Sequence, residues 1–362
     1  MHNKKIKIIV VACILILVGG LILEASKYSS FLFQLFFNNG VNLKKQDDHI
    51  NLLGLGVGGG THDGPNLTDT IIFISLDLKT NKITMVSIPR DLWIPDLSAK
   101  INTAYAIGEG KKKGGGLLLS KAVVSKVMGQ SIDYVVKIDF DGFIKAVNMV
   151  GGVDILVDKS FDDYEYPIEG KEVDTCGHKE EEIQMLATAS SQLEAFPCRY
   201  ERLHFEKGLN RMDGKTALEF VRSRHAKGEE GTDFARSKRQ EKTITALKKK
   251  ILSPQIVLSP TKLLGLYGIL KSSIETDIKQ DEMDDFIRLA QKIKDSKMQN
   301  AILDYGNEQE KRAGLLINPP ISENFQNQWV LTPRTGNGNF SEIQKYVECE
   351  IIMGNCPITK KP

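Results

Sequence analysis

The chain has 362 residues, 41% of them hydrophobic and 26% charged, and a formal net charge of only +2. That balance gives no overall basic field for nucleic acid, while the length suffices to bury a sizeable core. Six histidines and five cysteines are scattered, and none forms a run with zinc-ligand spacing.

Lys4, Lys5 and Lys7 precede an uninterrupted apolar run, IIVVACILILVGGLIL, from Ile8 to Leu23. At ~1.5 Å per residue the run is slightly short for a ~30 Å bilayer core, but Ile6 extends it and Lys7 can snorkel to the headgroups. No convincing small-x-small site follows, so a retained membrane span is expected rather than a cleaved signal peptide. The basic flank should be cytoplasmic and the remainder outside the cell membrane. Residues 1–25 are thus read as cytoplasmic tip and anchor. Residues 26–48 are read as an extracytoplasmic stem, whose FLFQLFF at 31–37 lies along the interface or packs on the soluble domain.

DHINLLGLGVGGG at 48–60 reads as a strand running into a glycine-rich loop, and GVGGG matches neither common nucleotide-binding glycine pattern. DTIIFISLDLKTNKITMVSIP at 69–89 predicts two adjacent antiparallel strands joined at KTNK, with Asn81 in the difficult turn position. A helix at 117–129, a strand at 132–140, a helix at 143–150 and a strand at 152–157 follow. The alternation predicts an α/β/α sandwich with a central mixed sheet, preceded by one transmembrane helix.

Residues 160–206 read as an excursion that either walls a ligand groove or packs as a surface subdomain. Cys176 with Cys198, and Cys349 with Cys356, form two local pairs. Outside the membrane they could close as disulfides, with buried free thiols as the other reading. A helical pattern resumes at Asp213, and TDFARSKRQEKTITALKKKIL begins with Thr232 or Asp233 as cap.

The stretch FVRSRHAKGEEGTDFARSKRQ at 220–240 sets Arg222, Arg224, Arg236 and Arg239 around Glu229, Glu230 and Asp233. Arg222 and Arg224, two apart, would project to one side of an extended segment, while Arg236 and Gln240 share a helix face near its N-terminus. A pocket for linked phosphates, a solvated face and a nucleic-acid patch all remain open, the first favoured by guanidinium geometry. Asp69 at a strand start could hold a divalent cation beside phosphates. Arg90 can reach a phosphate, with Asp91 fixing a loop or the KINTAY segment at 100–105; a generic strand-end ion pair is the other reading of Arg90 and Asp91.

SIPRDLWIP, KINTAY, the glycine pair of MVGGVDILV and FEKGLNRMDGKTALEFVRSRHAKGEEGTDFARSKRQ, in this order over residues 50–252, resemble the LytR–CpsA–Psr family of membrane-anchored cell-wall glycopolymer ligases. The resemblance implies an α/β/α sandwich with an apolar tunnel for a lipid tail. It also implies a Mg2+-dependent phosphotransferase that moves a glycopolymer from a polyprenyl-pyrophosphate carrier to peptidoglycan or a similar acceptor. By motif correspondence Asp69 contributes to the metal. Arg90, Arg222, Arg224 and Arg236 engage the pyrophosphate, Gln240 completes the cluster, Asp91 and Asp233 support it, and Arg239 either binds substrate or supports.

Two departures stand out. Gly58 occupies a place where the family often has aspartate, and Leu67 one where it commonly has arginine. Asp63 is the candidate replacement ligand, with an ordinary turn role as its other reading. These departures keep open an alternative, a noncatalytic polyprenyl-diphosphate or wall-polymer binding protein. The catalytic core is expected at 49–252. Residues 253–362 are expected to pack on it or complete it, because no long Gly/Ser linker separates them.

Overall fold

The computed structural model describes residues 42–60, 64–186, 191–257, 259–307 and 312–359. The expected membrane span and stem segment to residue 41, and Asp63, lie outside them. Among the described residues no helix is long and apolar enough to cross a membrane.

By contacts the chain forms two units, residues 1–43 with 278–293, and residues 44–277 with 294–362. In the first, the helix Met283–Lys292 carries Arg288 against Asp284 and Asp285 at 2.8 and 2.7 Å, and the Asn42 amide donates to Asp285 at 2.9 Å.

The second unit is a mixed α/β sandwich. Its elements in chain order are β1 (His49–Val57), β2 (Thr68–Asp77), β3 (Lys82–Ser87), α1 (Ala104–Lys111), α2 (Gly115–Met128), β4 (Tyr134–Asp139) and α3 (Phe140–Met149). There follow β5 (Val153–Val157), β6 (Phe161–Pro167), β7 (Tyr200–Phe205), β8 (Gly208–Met212), α4 (Gly214–Arg222) and α5 (Asp233–Ile251). The last are α6 (Pro260–Ser273), β9 (Ile274–Thr276), β10 (Met298–Ile302) and α7 (Ser341–Ile352).

The central sheet has six strands in the order β9-β4-β1-β2-β3-β10. The β2–β3 hairpin is antiparallel, as its sequence predicts: Asp77 accepts from the amides of Lys79 and Thr80, and Asn81 takes φ 55°. Strands β1 and β4 run parallel, as do β3 and β10, while β9 adds antiparallel to β4. Residues beyond 252 therefore supply both edge strands of the sheet.

Alternation along β1 decides what each sheet face does. Leu53 and Leu55 pack with Phe73, Val135, the α2 residues Val124 and Val127, and the α7 residues Ile343 and Val347. Gly54 and Gly56 face the other way. A one-residue slip would exchange leucines for glycines and forfeit ~1.5–3 kcal/mol per buried leucine, which pins the register.

The strand expected at 152–157 forms, but not in the central sheet. β5 pairs antiparallel with β8 in a two-stranded ribbon. The glycine pair before it explains the departure: Gly151 and Gly152 take φ 83° and 85°, turning the chain out of α3, and a Cβ on Gly152 would sit 2.8 Å from the Met212 carbonyl. Residues 160–206 hold β6 and β7, which pair with each other. The excursion between them is tied by a Cys176–Cys198 disulfide, and a second disulfide joins Cys349 to Cys356.

Candidate active site

The glycine-bearing face of the sheet is roofed by α3, α4 and α5, and between them lies a cavity of about 470 Å³. Its inner wall is apolar: Ile72, Ile74, Val136 and Ile138 from the sheet, Phe140 and Phe143 from α3, Leu218 and Val221 from α4, and Ile244 from α5. The glycines at 54 and 56 leave the floor without side chains. At the mouth the wall is polar and mostly charged: Asp69, Arg90, Arg222, Arg224, Arg236 and Gln240 all line the cavity. Arg90 thus meets three arginines more than 130 positions further along the chain around one apolar chamber.

Arg90, just past β3, donates through Nη1 to Asp69 Oδ1 at 2.5 Å. Asp91 bridges two cations, lying 3.6 Å from Arg90 Nε and binding Lys100 Nζ at 2.7 Å, so the strand-end ion pair forms and the KINTAY segment is held as well. Arg222 is not in an extended segment as its spacing with Arg224 suggests. It is the last residue of α4, and the chain extends only from Ser223 onward. Its guanidinium lies 4.3 Å from the Phe140 ring centroid and donates to the Tyr166 hydroxyl at 3.2 Å. Burial, ahead of the opposing Arg222 charge, pushes Tyr166 up to about 12, so it stays a neutral phenol at physiological pH.

Helix α5 opens on Thr232, whose side chain accepts from the Ala235 amide. Arg236 lies one turn in, and Gln240 Nε2 donates to Thr70 Oγ1 at 3.3 Å. Arg239, one residue from the shared face, is not a wall of the cavity. It is 3% exposed and donates to the carbonyl oxygens of Phe220, Ser223 and Glu230 and to the Glu230 carboxylate. Of its two expected roles, the geometry matches the supporting one. Burial, opposed by Glu230, lowers its guanidinium to about 10, leaving it charged at neutral pH. The Asp233 side chain is outside the described set.

Among the polar wall residues that sequence reasoning missed are Asp163, His225 and Asp139. Asp163, fully buried on β6, accepts from Ser223 Oγ and from the Arg224 and His225 amides. His225 lines the cavity beside Arg224 and meets Glu165 at 3.6 Å. Asp139 ends β4 opposite Val57 in parallel register and caps α3 through Gly142. The loop after β1 runs against it: an ideal Cβ on Gly59 would lie 2.8 Å from Asp139 Cβ. The signal for Asp139 was present as a helix N-cap directly after a strand; that for Asp163 was not, since its partners lie about sixty positions away.

Magnesium takes one or two carboxylates together with phosphate oxygens and water. Asp69 and Asp139, hard oxygen donors on the same cavity wall, fit that donor set; Asp163 does not, because its oxygens are already committed to protein donors. Elsewhere among the described residues Asp174, Cys176 and Cys198 gather their ligand atoms within 4.8 Å. Both sulfurs there are joined in the disulfide and are not thiolates, so that group does not suit a metal.

Comparison with known proteins matches residues 26–328 to the LytR_cpsA_psr family. The polyisoprenyl-teichoic acid–peptidoglycan teichoic acid transferase TagU of Oceanobacillus iheyensis is 30% identical over 247 residues, a match covering 67% of this chain and 62% of that relative's length. Among solved structures, Bacillus subtilis TagV superposes with a TM-score of 0.52 at 21% identity, covering 85% of this chain and 98% of that one. TagT bound to LIIa-WTA gives 0.52 at 20%, covering 86% and 94%. These likenesses extend the family match to the fold. The chain belongs to the LytR–CpsA–Psr family.

Proposed function

We propose that this protein is an envelope phosphotransferase that moves a glycopolymer from a polyprenyl-pyrophosphate carrier to peptidoglycan or a similar acceptor, forming a phosphodiester. The observation that carries the reading is the convergence of Arg90, Arg222, Arg224 and Arg236 on the mouth of one apolar chamber. A polyprenyl diphosphate has that same division, a hydrocarbon chain ending in linked phosphates.

In this reading the sheet and α3 to α5 take the isoprenoid and keep water from it, while the arginines hold the diphosphate oxygens by charge-assisted hydrogen bonds. An acceptor hydroxyl attacks the sugar-side phosphorus. The new P–O bond forms as the bond to the bridging oxygen breaks, and polyprenyl phosphate leaves. The proton of the hydroxyl goes to His225, which Glu165 orients from its Nδ1 side. Mg2+ held by Asp69 with Asp139 would neutralise phosphate charge; Asp139 thereby stands in for the aspartate that Gly58 lacks, and Asp63 is a further candidate ligand. Asp163 and Arg239 position the 222–225 turn, and Asp91 and Asp233 support the arginines.

The same reading places residues 49–252 as catalytic core, completed by residues 253–362, behind the single cytoplasm-in anchor at residues 1–25. Two disulfides support a location outside the cytoplasm. The test is direct: a glycosylated polyprenyl diphosphate should bind the purified protein, and Arg224→Ala should lose that binding while keeping its fold.

A further inference from the structure

Residues 318–330 form a loop closed at its base, where Asn318 Nδ2 donates to the Val330 carbonyl at 2.7 Å beside the Leu316–Ile317/Thr332–Pro333 strand pair. The loop is pinned. Phe325 packs edge-on against the buried Trp93 ring at 5.4 Å, and Gln326 Nε2 donates to the Ser98 carbonyl at 3.0 Å. Gln326 and the adjacent Asn327 both adopt left-handed backbone, φ 52° and 54°. Two successive non-glycine residues held in that region cost free energy that tight packing elsewhere must offset, a pattern concentrated at ligand-binding segments.

This pinned loop nevertheless presents apolar groups to water: Trp329 is 42% exposed, Ile321 61% and, at its base, Ile317 46%. Asn327 and Gln328 immediately precede Trp329 in the chain. Its placement is specific too. Leu331 bridges Leu92 in parallel, with the Leu331 amide donating to the Asp91 carbonyl and the Trp93 amide to the Leu331 carbonyl. Trp329 thus lies two residues before Leu331, whose partners Asp91 and Leu92 directly follow Arg90 in the turn after β3.

We infer that Trp329 and the loop 318–330 form a shelf for the acceptor glycan strand, continuous with the Arg90 side of the cavity mouth. An indole face offers its negative π-surface to the C–H face of a sugar ring, and carboxamides both donate to and accept from hydroxyls and N-acetyl groups. Residues 317–331 contain Glu323 and no lysine or arginine. That charge opposes an anionic glycopolymer or an anionic lipid surface and suits a glycan strand that carries little charge on its sugar faces. The inference rests on the proposed transfer reaction for the word acceptor, and its binding step stands apart from that reaction.

The protein has two tryptophans, Trp93 at 3% exposure and Trp329, so quenching of intrinsic fluorescence by acrylamide reads Trp329 almost alone. Titration of the full chain with peptide-free peptidoglycan glycan strands should protect the emission from the quencher. In transfer assays Trp329→Ala should raise the acceptor half-saturation about three- to tenfold, the scale of one lost aromatic contact, with donor half-saturation unchanged and Trp329→Tyr restoring most of it. Absence of protection, or an unaltered acceptor half-saturation, overturns the shelf. A rise in donor half-saturation instead, protection by anionic vesicles alone, or protection by self-association of the chain also overturns it. Protection without any transfer would retain the shelf and sink the phosphotransferase reading; transfer without protection would do the reverse.

Discussion

Asp163 on β6 accepts the Ser223 hydroxyl at 2.7 Å across sixty positions of chain, with no exposure to solvent. The same oxygen takes the amides of Arg224 and His225, so one carboxylate shapes the turn that aims two cavity residues. Asp163→Ala leaves the buried Ser223 hydroxyl unsatisfied, at about 1–3 kcal/mol, and frees two partly buried amides. Chemical denaturation should show a loss of at least about 2 kcal/mol, together with weakened donor binding. Unchanged stability would mean the turn is held by something else.

Arg239 and Arg236 separate two roles on one helix. Arg239→Lys keeps the charge but cannot reproduce four donations from a planar fork; carbonyl oxygens left without a donor cost about 1–3 kcal/mol each, so the melting temperature should fall. Arg236→Ala should leave the melting temperature nearly intact and reduce affinity for a polyprenyl diphosphate. Thermal melts beside binding isotherms check the pair, and equal stability losses in both would remove the distinction.

The arginine cluster should prefer two linked phosphates to one, because Arg90, Arg222, Arg224 and Arg236 divide the larger charge among charge-assisted hydrogen bonds. Competition between polyprenyl diphosphate and monophosphate for the purified protein measures this. Each single alanine variant should narrow the preference; four variants with wild-type affinity would leave the arginines a solvated face.

Much of this was legible locally. The β2–β3 hairpin, the helix resuming at Asp213, a cap at Thr232 or Asp233, of which Thr232 is the one seen, and the two cysteine pairs each follow from local pattern, and all formed. What local pattern could not supply was pairing at a distance. β5 has the look of any covered strand, yet it joins β8, because the Gly151–Gly152 turn sends it off the sheet. Arg239 looks like Arg236 in sequence, and only the fold turns it toward Phe220 and Ser223. Asp163 gave no signal, since its donors arrive from α4 and the turn beyond.

Both disulfides join stretches close in the chain. Cys176 and Cys198 close a separation of 22 residues and Cys349 and Cys356 one of 7. Native protein treated with a thiol-blocking reagent should show none of these four alkylated on peptide mapping. Cys176→Ser with Cys198→Ser should cost about 3 kcal/mol. Four alkylated thiols would contradict both bridges.

The metal account is tested by charge removal with shape kept. Asp139→Asn retains the Gly142 cap through its carbonyl oxygen and removes a candidate ligand charge. It should shift the magnesium requirement for transfer upward, Asp69→Asn should lower transfer sharply at any magnesium concentration, and Asp63→Asn should give a smaller loss partly rescued by more magnesium. Wild-type magnesium dependence in Asp139→Asn would return the second ligand to Asp63 or to the substrate.

The most direct measurement combines purified full-length protein in detergent, a polyprenyl-diphosphate glycan donor, peptidoglycan and a magnesium titration, and quantifies phosphodiester product with released polyprenyl phosphate. Equimolar appearance of the two, abolished by Asp69→Asn and by Arg224→Ala, is the expected result. Tight donor binding with no product at saturating magnesium and with every envelope acceptor supplied would contradict it, and would leave a polyprenyl-diphosphate binding protein in which Gly58 and Leu67 mark the lost chemistry.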